Sequence, residues 1–209
     1  MPRVRPRFGM VAREGWPFII APLGGAALGL ALGAPLLAAG AVLLSGAMAF
    51  FFRDPERHPP ADPRAVVAPA DGRVVRVERT PEGTSISIFL SILDVHINRA
   101  PVGGRVVARR HTPGRFVIAT RDEASTVNER NELVIDDGSR LITCRQVAGV
   151  VARRIVCWKQ VGDPVARGER IGLIRFGSRT DLLLPSEVEV TVAVGDRVRG
   201  GETVVGRMP

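Results

Sequence analysis

Hydrophobic and polar positions divide the chain into an apolar amino-terminal part and a longer part of short alternating runs. No charged residue occurs from Gly15 to Phe52. A single membrane-spanning helix needs about 20 apolar residues; this run is nearly twice as long, and Pro35 lies close to its middle. We therefore expect an N-terminal transmembrane helical hairpin with short spans near residues 17–33 and 35–52. One long tilted or interfacial segment is the alternative.

Charged residues at both ends of this run predict its orientation. A signal peptide would have a shorter apolar core and a small-residue cleavage site, whereas this run ends in three consecutive phenylalanines. Arginines are favoured on the cytoplasmic side of a membrane, so we expect both ends, and the domain that follows, in the cytoplasm at the inner membrane. The flanking arginines are Arg3, Arg5, Arg7, Arg13 and Arg53.

After Phe52 the composition changes to proline and charged residues, and then to short β-branched runs. Residues 53–64 hold four prolines, which predicts a stiff linker in which His58 is solvated. The sequence thus predicts a membrane segment over 1–52, a linker over 53–64 and a β-rich catalytic domain over 65–209. Strand-like runs occur at 66–67, 74–77, 85–90, 105–108, 116–119, 132–135, 141–144 and 150–157. Residues 91–96 are expected to form a short turn.

Two internal repeats predict how these strands are arranged. Residues 161–171 match 194–204, and residues 68–75 match 100–107. We expect a mainly β fold, a flattened barrel or sandwich of duplicated half-units that resemble those of biotinyl and lipoyl carrier domains. Carriers present a modifiable lysine at a hairpin tip, but Lys159 is the only lysine here and is not at such a tip. A carrier function is disfavoured, while a non-catalytic membrane-anchored β-barrel adaptor stays open.

Composition narrows the range of partners. The formal net charge is +8 and is carried almost wholly by arginine, which suits phosphate and carboxylate groups. Nucleic acid is disfavoured because the chain has no tyrosine and only 5% aromatic residues for base stacking. Cys144 and Cys157 lack metal-ligand spacing and are interpreted as buried thiols, and we expect no metal site. His111 is interpreted as exposed, and residues 136–138 as a hairpin turn.

Three residues of the β-rich part carry the candidate chemistry: Asp71, His96 and Ser178. A carboxylate, an imidazole and a hydroxyl can form a Ser-His-Asp arrangement in which the imidazole takes the hydroxyl proton. Each residue also has a structural interpretation. Asp71 before a glycine is an ordinary turn residue, His96 can be a half-buried polar residue, and Ser178 after Gly177 can belong to a plain turn. A hydrolase whose serine stays intact is a further alternative.

Short sequence blocks over nearly the whole chain resemble the short, membrane-associated class of phosphatidylserine decarboxylases. These enzymes depend on a pyruvoyl group that they make from their own chain. One departure is Arg99, which stands about where longer members have a second histidine, so His96 would act alone or with Asp94 or a water. The matching blocks are FFRDP (51–55), PADG (69–72), FLS (89–91), DVHINRAP (94–101), NERN (128–131), GERIG (168–172) and RFGS (175–178).

The resemblance implies a self-processing decarboxylase that converts phosphatidylserine to phosphatidylethanolamine and releases CO2. Ser178, deprotonated by His96 with Asp71 orienting the imidazole, would cleave the chain after Gly177 and become a covalent pyruvoyl cofactor.

The resemblance also implies substrate contacts and partners. Arg99 or neighbouring arginines would hold the lipid phosphate, with Asp94 also near the substrate. The expected partners are phosphatidylserine, the lipid bilayer and the two cleavage fragments bound to each other; a homo-oligomer is compatible with the sequence.

Overall fold

The computed structural model of the protein describes residues 10–115, 117, 127–149, 154–175 and 177–209. The chain divides into two compact units, Met1–Glu56 and Arg57–Pro209. Each unit has its own secondary structure, helical in the first and almost entirely β in the second.

The amino-terminal unit is a pair of helices joined by a tight turn. A 3-10 turn at Arg13–Gly15 leads into α1 (Trp16–Ala31), and α2 spans Pro35–Phe51. Gly33 has a φ of +69°, a left-handed conformation that glycine adopts without strain. Pro35 then starts α2, where the fixed φ of proline suits the first helical turn.

Small residues form the contact between α1 and α2. Ala26, Gly29 and Ala38 are buried there. A Cβ at Gly29 would come within 3.3 Å of Ala38 N, so the backbones approach closely. Ser45 Oγ donates a hydrogen bond to Ile19 O across the pair, at 2.8 Å.

The predicted transmembrane hairpin is not supported. Among the described residues, no helix is long and apolar enough to cross a membrane. The turn at Gly33 and the helix start at Pro35 divide the apolar run into helices of 16 and 17 residues. A 16-residue helix is about 24 Å long, shorter than a hydrocarbon core of about 30 Å.

The second unit contains fourteen strands in the described residues, and the pairings between these strands are antiparallel. They are β1 (Ala65–Val67), β2 (Gly72–Thr80), β3 (Gly83–Leu90), β4 (Ile97–Arg99), β5 (Gly104–Thr112), β6 (Arg130–Asp136), β7 (Leu141–Val147), β8 (Ile155–Cys157), β9 (Pro164–Val165), β10 (Arg170–Ile174), β11 (Ser178–Leu184), β12 (Glu189–Val190), β13 (Arg197–Val198) and β14 (Val204–Arg207).

One curled eight-stranded sheet dominates this unit, in the order β13-β2-β3-β11-β7-β6-β5-β9. Two three-stranded sheets, β1-β14-β12 and β4-β10-β8, complete it. The prediction of a mainly β fold is confirmed, and six of the predicted runs lie in β1, β2, β3, β5, β6 and β7. Most of run 116–119 lies outside the described residues, and of run 150–157 the structure describes a strand at Ile155–Cys157.

The repeated sequences adopt equivalent strand pairings. Gly72 in β2 pairs with Val198, and Gly104 in β5 pairs with Val165. We call β1, β2, β13 and β14 the first half-unit, and β4, β5, β9 and β10 the second half-unit. In each half-unit a turn precedes the short outer strand, β13 or β9, and an aspartate carboxylate accepts a backbone hydrogen bond within that turn. The aspartates are Asp196 in the first half-unit and Asp163 in the second.

Alternation along the strands builds one apolar core. Leu133 and Ile135 of β6 point inward with Ile86 and Ile88 of β3 and Leu182 of β11, and all are at most 1% exposed. Burying each such side chain contributes about 1.5–3 kcal/mol. The predicted turn at residues 136–138 is confirmed between β6 and β7, with Gly138 N donating to Asp136 Oδ1.

Candidate active site

Ser178 is the first residue of β11 and lies in the interior of the sheet. Its Cα partner across the ladder is Leu90 of β3, and the residue is 0% exposed. Its Oγ has no hydrogen-bond partner among the described residues. A buried hydroxyl without a partner lowers the stability of the fold. The burial of Ser178 therefore calls for a functional explanation.

Gly177 connects β10 to Ser178 in a left-handed conformation, with a φ of +59°. A Cβ at this position would have open space around it, with no atom within 4 Å. Glycine is therefore favoured here by backbone conformation and not by crowding. The resemblance implies that Ser178 attacks the carbonyl of Gly177. Gly177 lies in a turn and has no side chain beside that carbonyl. Phe176 lies outside the described residues.

His96 is buried immediately before β4, and its ring has a defined hydrogen bond. The residue is 3% exposed, and Nδ1 lies 2.9 Å from the backbone oxygen of Asp94. A carbonyl oxygen can only accept, so Nδ1 carries the proton in the neutral ring. Nε2 is then the basic nitrogen, which is the protonation state that a general base requires.

Backbone pairing brings the His96 and Ser178 segments into one region. Ile97 of β4 pairs with Leu173 of β10, and β10 leads into the turn before Ser178. Ile174 N also donates to His96 O at 3.3 Å. The structure therefore places both segments along β10, as a joint role requires.

Asn98 links the same two segments through its side chain, a role that the sequence did not predict. Its Nδ2 donates to Thr180 Oγ1 at 2.9 Å, and both residues are 0% exposed. Asn98 follows His96 by two residues, and Thr180 follows Ser178 by two. The only sequence signal was its place in the DVHINRAP block.

Further buried amides extend this link across the sheet. Gln146 of β7 donates to Asn98 Oδ1 at 2.8 Å, and Asn131 of β6 donates to Gln146 Oε1 at 2.9 Å. Buried polar groups that satisfy one another fix one arrangement, since any other leaves some of them unpaired. The chain Thr180–Asn98–Gln146–Asn131 thus holds β4 over the strands beneath it.

Asp71 lies just before β2, and its carboxylate is held by Arg57 and by the backbone of Gly200. One carboxylate oxygen accepts from Arg57 Nη2 at 2.6 Å, and the other accepts from Gly200 N at 2.8 Å. The predicted orientation of His96 by Asp71 stays a prediction. Burial raises the pKa of Asp71 and the charge of Asp94 adds to this, while Arg57 and the Gly200 N–H oppose it.

Arg57 is a second residue without a predicted role. Its guanidinium binds both Asp71 and, at 2.9 Å, Glu202, and its side chain is 9% exposed. Arg57 lies in the predicted linker, and the sequence did not indicate that its side chain would pair with Asp71 and Glu202. The ion pairs attach this part of the chain to the turn at Gly200.

Asp94 closes the turn between β3 and β4. Its Oδ2 accepts from the backbone N–H of Ser91 at 2.8 Å and from Ser91 Oγ at 2.7 Å. Its backbone oxygen holds His96, so Asp94 positions the imidazole through the main chain.

Arg99 is buried at 3% exposure, and its Nη1 donates to Gly168 O at 3.0 Å. A Cβ at Gly201 would lie 2.8 Å from Arg99 Cδ, so glycine is needed there for the arginine to fit. This contact joins the two half-units; the predicted contact of Arg99 with a lipid phosphate stays a prediction.

The other titratable candidates lie elsewhere. His111 Nε2 is 3.1 Å from Glu129 Oε1 on a half-exposed ring. Cys144 is fully buried, and burial raises the pKa of its thiol, with smaller contributions from Cys157 and Asp181; Cys157 is only partly buried. Within the described ranges, no three His, Cys, Asp or Glu residues cluster as metal ligands would.

Comparison with known proteins identifies the family. The family model described as phosphatidylserine decarboxylase matches residues 44–206. The chain belongs to the phosphatidylserine decarboxylase family. The match includes His96, Gly177 and Ser178, and so covers the whole of the region described above.

Curated relatives match nearly the whole chain. A protein of Symbiobacterium thermophilum is 49% identical, with 96% of each chain covered. One from Pelobacter propionicus is 47% identical over 95% of this chain and 96% of its own, and one from Desulfotalea psychrophila is 42% identical with the same coverage. Each of the three is named phosphatidylserine decarboxylase proenzyme.

Proposed function

We propose that this protein is a self-processing, pyruvoyl-dependent decarboxylase that converts phosphatidylserine to phosphatidylethanolamine and CO2. Membership of the family and the names of the relatives support this activity. The word proenzyme in those names describes a precursor that must be processed. This function is favoured over a non-catalytic adaptor.

The observation that carries the proposal is the buried Ser178 Oγ without a partner, directly after the left-handed Gly177. A hydroxyl bound to other groups would have to release them before attacking a carbonyl. At Ser178 none of the described groups competes, and the adjacent glycine has no side chain to hinder the approach. Both features support an attack by Ser178 on the preceding peptide bond.

Self-cleavage follows from these residues in steps that balance. Ser178 Oγ loses its proton to a base and bonds to the Gly177 carbonyl carbon. The C–N bond then breaks, so that the peptide becomes an ester and the serine nitrogen takes up a proton. Loss of the serine α-proton expels the Gly177 carboxylate and leaves dehydroalanine. Water then displaces ammonia, and a pyruvoyl group remains at position 178.

We assign these proton transfers to His96. Its Nδ1 is fixed by Asp94 O, so Nε2 can accept the Ser178 proton and return a proton to the α-carbon of the substrate. A pyruvoyl group at position 178 would supply an electrophilic carbonyl for the electron pair left when CO2 departs. The orphaned hydroxyl fits this chemistry, since its oxygen leaves with the Gly177 carboxylate and position 178 keeps no hydroxyl donor.

The two fragments are expected to stay together after cleavage. Fragment 178–209 supplies β11, which pairs with β3 and with β7 near the centre of the main sheet. It also supplies β14, which pairs with β1. Separating the fragments would break these ladders and expose the core residue Leu182.

The lipid bilayer is the proposed partner of the helical unit. Its helices expose large apolar side chains, among them Leu36 at 88%, Leu43 at 75% and Leu37 at 74%. Such surface is typical of membrane contact. We place the protein at the inner membrane, with the catalytic unit on the cytoplasmic side, because arginines flank the apolar run and the cytoplasmic leaflet attracts basic segments through its anionic lipids.

Denaturing mass spectrometry of the purified protein tests self-processing. Two fragments, 1–177 and one that begins with a pyruvoyl-blocked position 178, are expected. Ser178→Ala should give one intact chain, and Ser87→Ala, a change at another buried serine, should be cleaved normally. An active preparation that consists of a single uncut chain would exclude this function and leave the adaptor or the hydrolase with an intact serine.

A further inference from the structure

The turn that follows β3 presents two large apolar side chains at its tip. Ile92 is 64% exposed and Leu93 is 66% exposed. Tight turns usually carry Gly, Pro, Asn, Asp or Ser at such positions, so an adjacent apolar pair is unusual chemistry for this place. An exposed apolar pair is stabilised when it contacts something other than water.

This turn is rigid, so the exposure does not result from a loose loop. Asp94 Oδ2 accepts from Ser91 N and Ser91 Oγ, and Asp94 N donates to Ser91 O at 2.9 Å. Turning Ile92 and Leu93 inward would break these three bonds. The hydrogen bonds of the turn therefore hold Ile92 and Leu93 facing outward.

Two exposed arginines lie beside the same turn. Arg73 of β2 is the Cα partner of Arg197 of β13, so their side chains leave the same face of the sheet. Like charges opposite each other destabilise a strand pair, unless an anion lies over them. Arg197 Nη1 lies 3.8 Å from Asp94 Oδ1 with its side chain 73% exposed, so the basic pair lies next to the turn.

We propose that this surface, formed by Arg73, Ile92, Leu93 and Arg197, docks on an anionic phospholipid bilayer. The two apolar side chains enter the boundary between headgroups and acyl chains, and the arginines bind lipid phosphates and carboxylates. The proposal rests on the proposed function, since phosphatidylserine is a bilayer lipid and its headgroup must reach the catalytic unit.

The docking surface is connected directly to the candidate active site. Asp94, which closes the turn, also holds the His96 ring through its backbone oxygen. Phe89, the strand neighbour of Arg73, is followed by Leu90, the Cα partner of Ser178. Docking through this turn therefore sets the imidazole and position 178 at the headgroup level.

Tryptophan fluorescence tests insertion of the turn independently of the helical unit. Ile92→Trp is made in a full-length chain whose own Trp16 and Trp158 are replaced by Phe. Phosphatidylcholine vesicles containing phosphatidylglycerol, an anionic lipid that is not the substrate, should shift its emission to shorter wavelength. Bromines on the acyl chains should quench it. Val161→Trp, at a position of similar exposure (60%) in the turn before β9, should show neither effect.

The arginines are tested by a separate pair of changes that leave the turn intact. Arg73→Gln and Arg197→Gln should each weaken affinity for the phosphatidylglycerol vesicles about fivefold at low salt. They should leave affinity for pure phosphatidylcholine vesicles unchanged. Arg79→Gln, at the far end of β2 and also exposed, is the control and should have little effect.

Vesicle-bound Ile92→Trp protein whose emission shows no shift and no quenching would overturn the docking surface. Equal affinities of the Arg73, Arg197 and Arg79 variants for anionic vesicles would overturn the role of the arginines. Phosphatidylethanolamine production by the same preparations is measured separately. Activity without insertion refutes the docking surface alone, whereas insertion without activity refutes the proposed function alone.

Discussion

The two half-units of the β unit share their backbone hydrogen bonds and differ in their side-chain chemistry. Gly195 N donates to Val74 O in the first, and Gly162 N donates to Val106 O in the second. At the strand that precedes each repeat, His96 and Asn98 of the second half-unit correspond to Arg64 and Val66 of the first. Asn98 is thus buried where the first half-unit buries Val66, and His96 is buried where the first half-unit has the exposed Arg64.

In the turn before the long strand of each half-unit, β2 or β5, it is the first half-unit that carries the polar side chain. Asp71 stands before β2 in the first half-unit, and Gly103 stands at the equivalent position before β5. The repeat glutamates are shared, but Glu202 pairs with Arg57 and Glu169 pairs with Lys159. Each half-unit therefore contributes a different group to the candidate site, and backbone duplication provides the frame without duplicating the chemistry.

The largest expected effect comes from the imidazole that only the second half-unit has. His96→Ala should slow self-cleavage by about 10²- to 10⁴-fold, since it removes a general base. Arg64→Ala, the matched change in the first half-unit, should be cleaved at the normal rate. Appearance of the two fragments over time, measured by denaturing gel or mass spectrometry, decides this. Rapid cleavage of the His96 variant would remove that residue from the base role.

Next in size is the loss of the buried amide. Asn98→Val installs the residue of the first half-unit and leaves Thr180 Oγ1 and Gln146 Nε2 without their present partner. Unfolding free energy should fall by about 2–4 kcal/mol, measured by urea denaturation in a Ser178→Ala background so that every chain is uncut. With Ser178 present, cleavage should also slow.

Val66→Ala is the control for this change. It should lower stability through a cavity in the first half-unit without altering the cleavage rate. If Asn98→Val is cleaved as fast as the unmodified chain, the amide is structural and does not position Ser178.

The sequence predicted strands where residues alternate in polarity and missed those where buried polar groups are paired. The runs in β3 and β6 were visible because every second residue is apolar. β11 was not predicted because it begins with four polar residues, Ser-Arg-Thr-Asp. Arg179 and Asp181 are buried as an ion pair at 2.9 Å, and Thr180 accepts a hydrogen bond from Asn98. Such pairing is set by tertiary contacts and leaves no periodic signal.

The candidate site was predictable as a set of residues but not as a set of contacts. Sequence blocks indicated Ser178, His96 and Asp71, and the fold brings the first two segments together along β10. The partners of Asp71 could not be predicted, because Arg57 reaches it from the presumed linker. In the amino-terminal unit the break near Pro35 was predicted, and the helices lie at Trp16–Ala31 and Pro35–Phe51, but no described helix is long and apolar enough for the predicted membrane span.

A smaller effect separates the two ion-paired glutamates. Arg57→Gln should destabilise the protein by about 2 kcal/mol, between the values for surface and buried pairs, because it leaves the largely buried Asp71 carboxylate without its cation. Lys159→Gln should cost less, about 1 kcal/mol, because Glu169 is 40% exposed. Urea denaturation in the uncut background measures both, and equal losses would show that Asp71 adds nothing to the first pair.

The smallest expected effect concerns two carboxylates held by the same arginine, Asp71 and Glu202, whose pKa values shift in opposite directions. The pKa of Asp71 is raised above its ordinary 3.8, chiefly by burial. Burial also acts to raise the pKa of Glu202, but bonds from His58 N–H and Arg57 outweigh it and lower that pKa below its ordinary 4.5. The two groups should therefore bias stability in opposite directions as pH changes.

Between 3.8 and its raised value, folded Asp71 binds more protons than the unfolded chain, so its contribution to stability is lost as pH rises. Glu202 contributes stability above 4.5 that is lost as pH falls through its lowered pKa. Relative to the uncut parent, Asp71→Asn should gain thermal stability with rising pH and Glu202→Gln should lose it, the second change being smaller. Slopes of the same sign would mean that Arg57, not burial, controls both carboxylates.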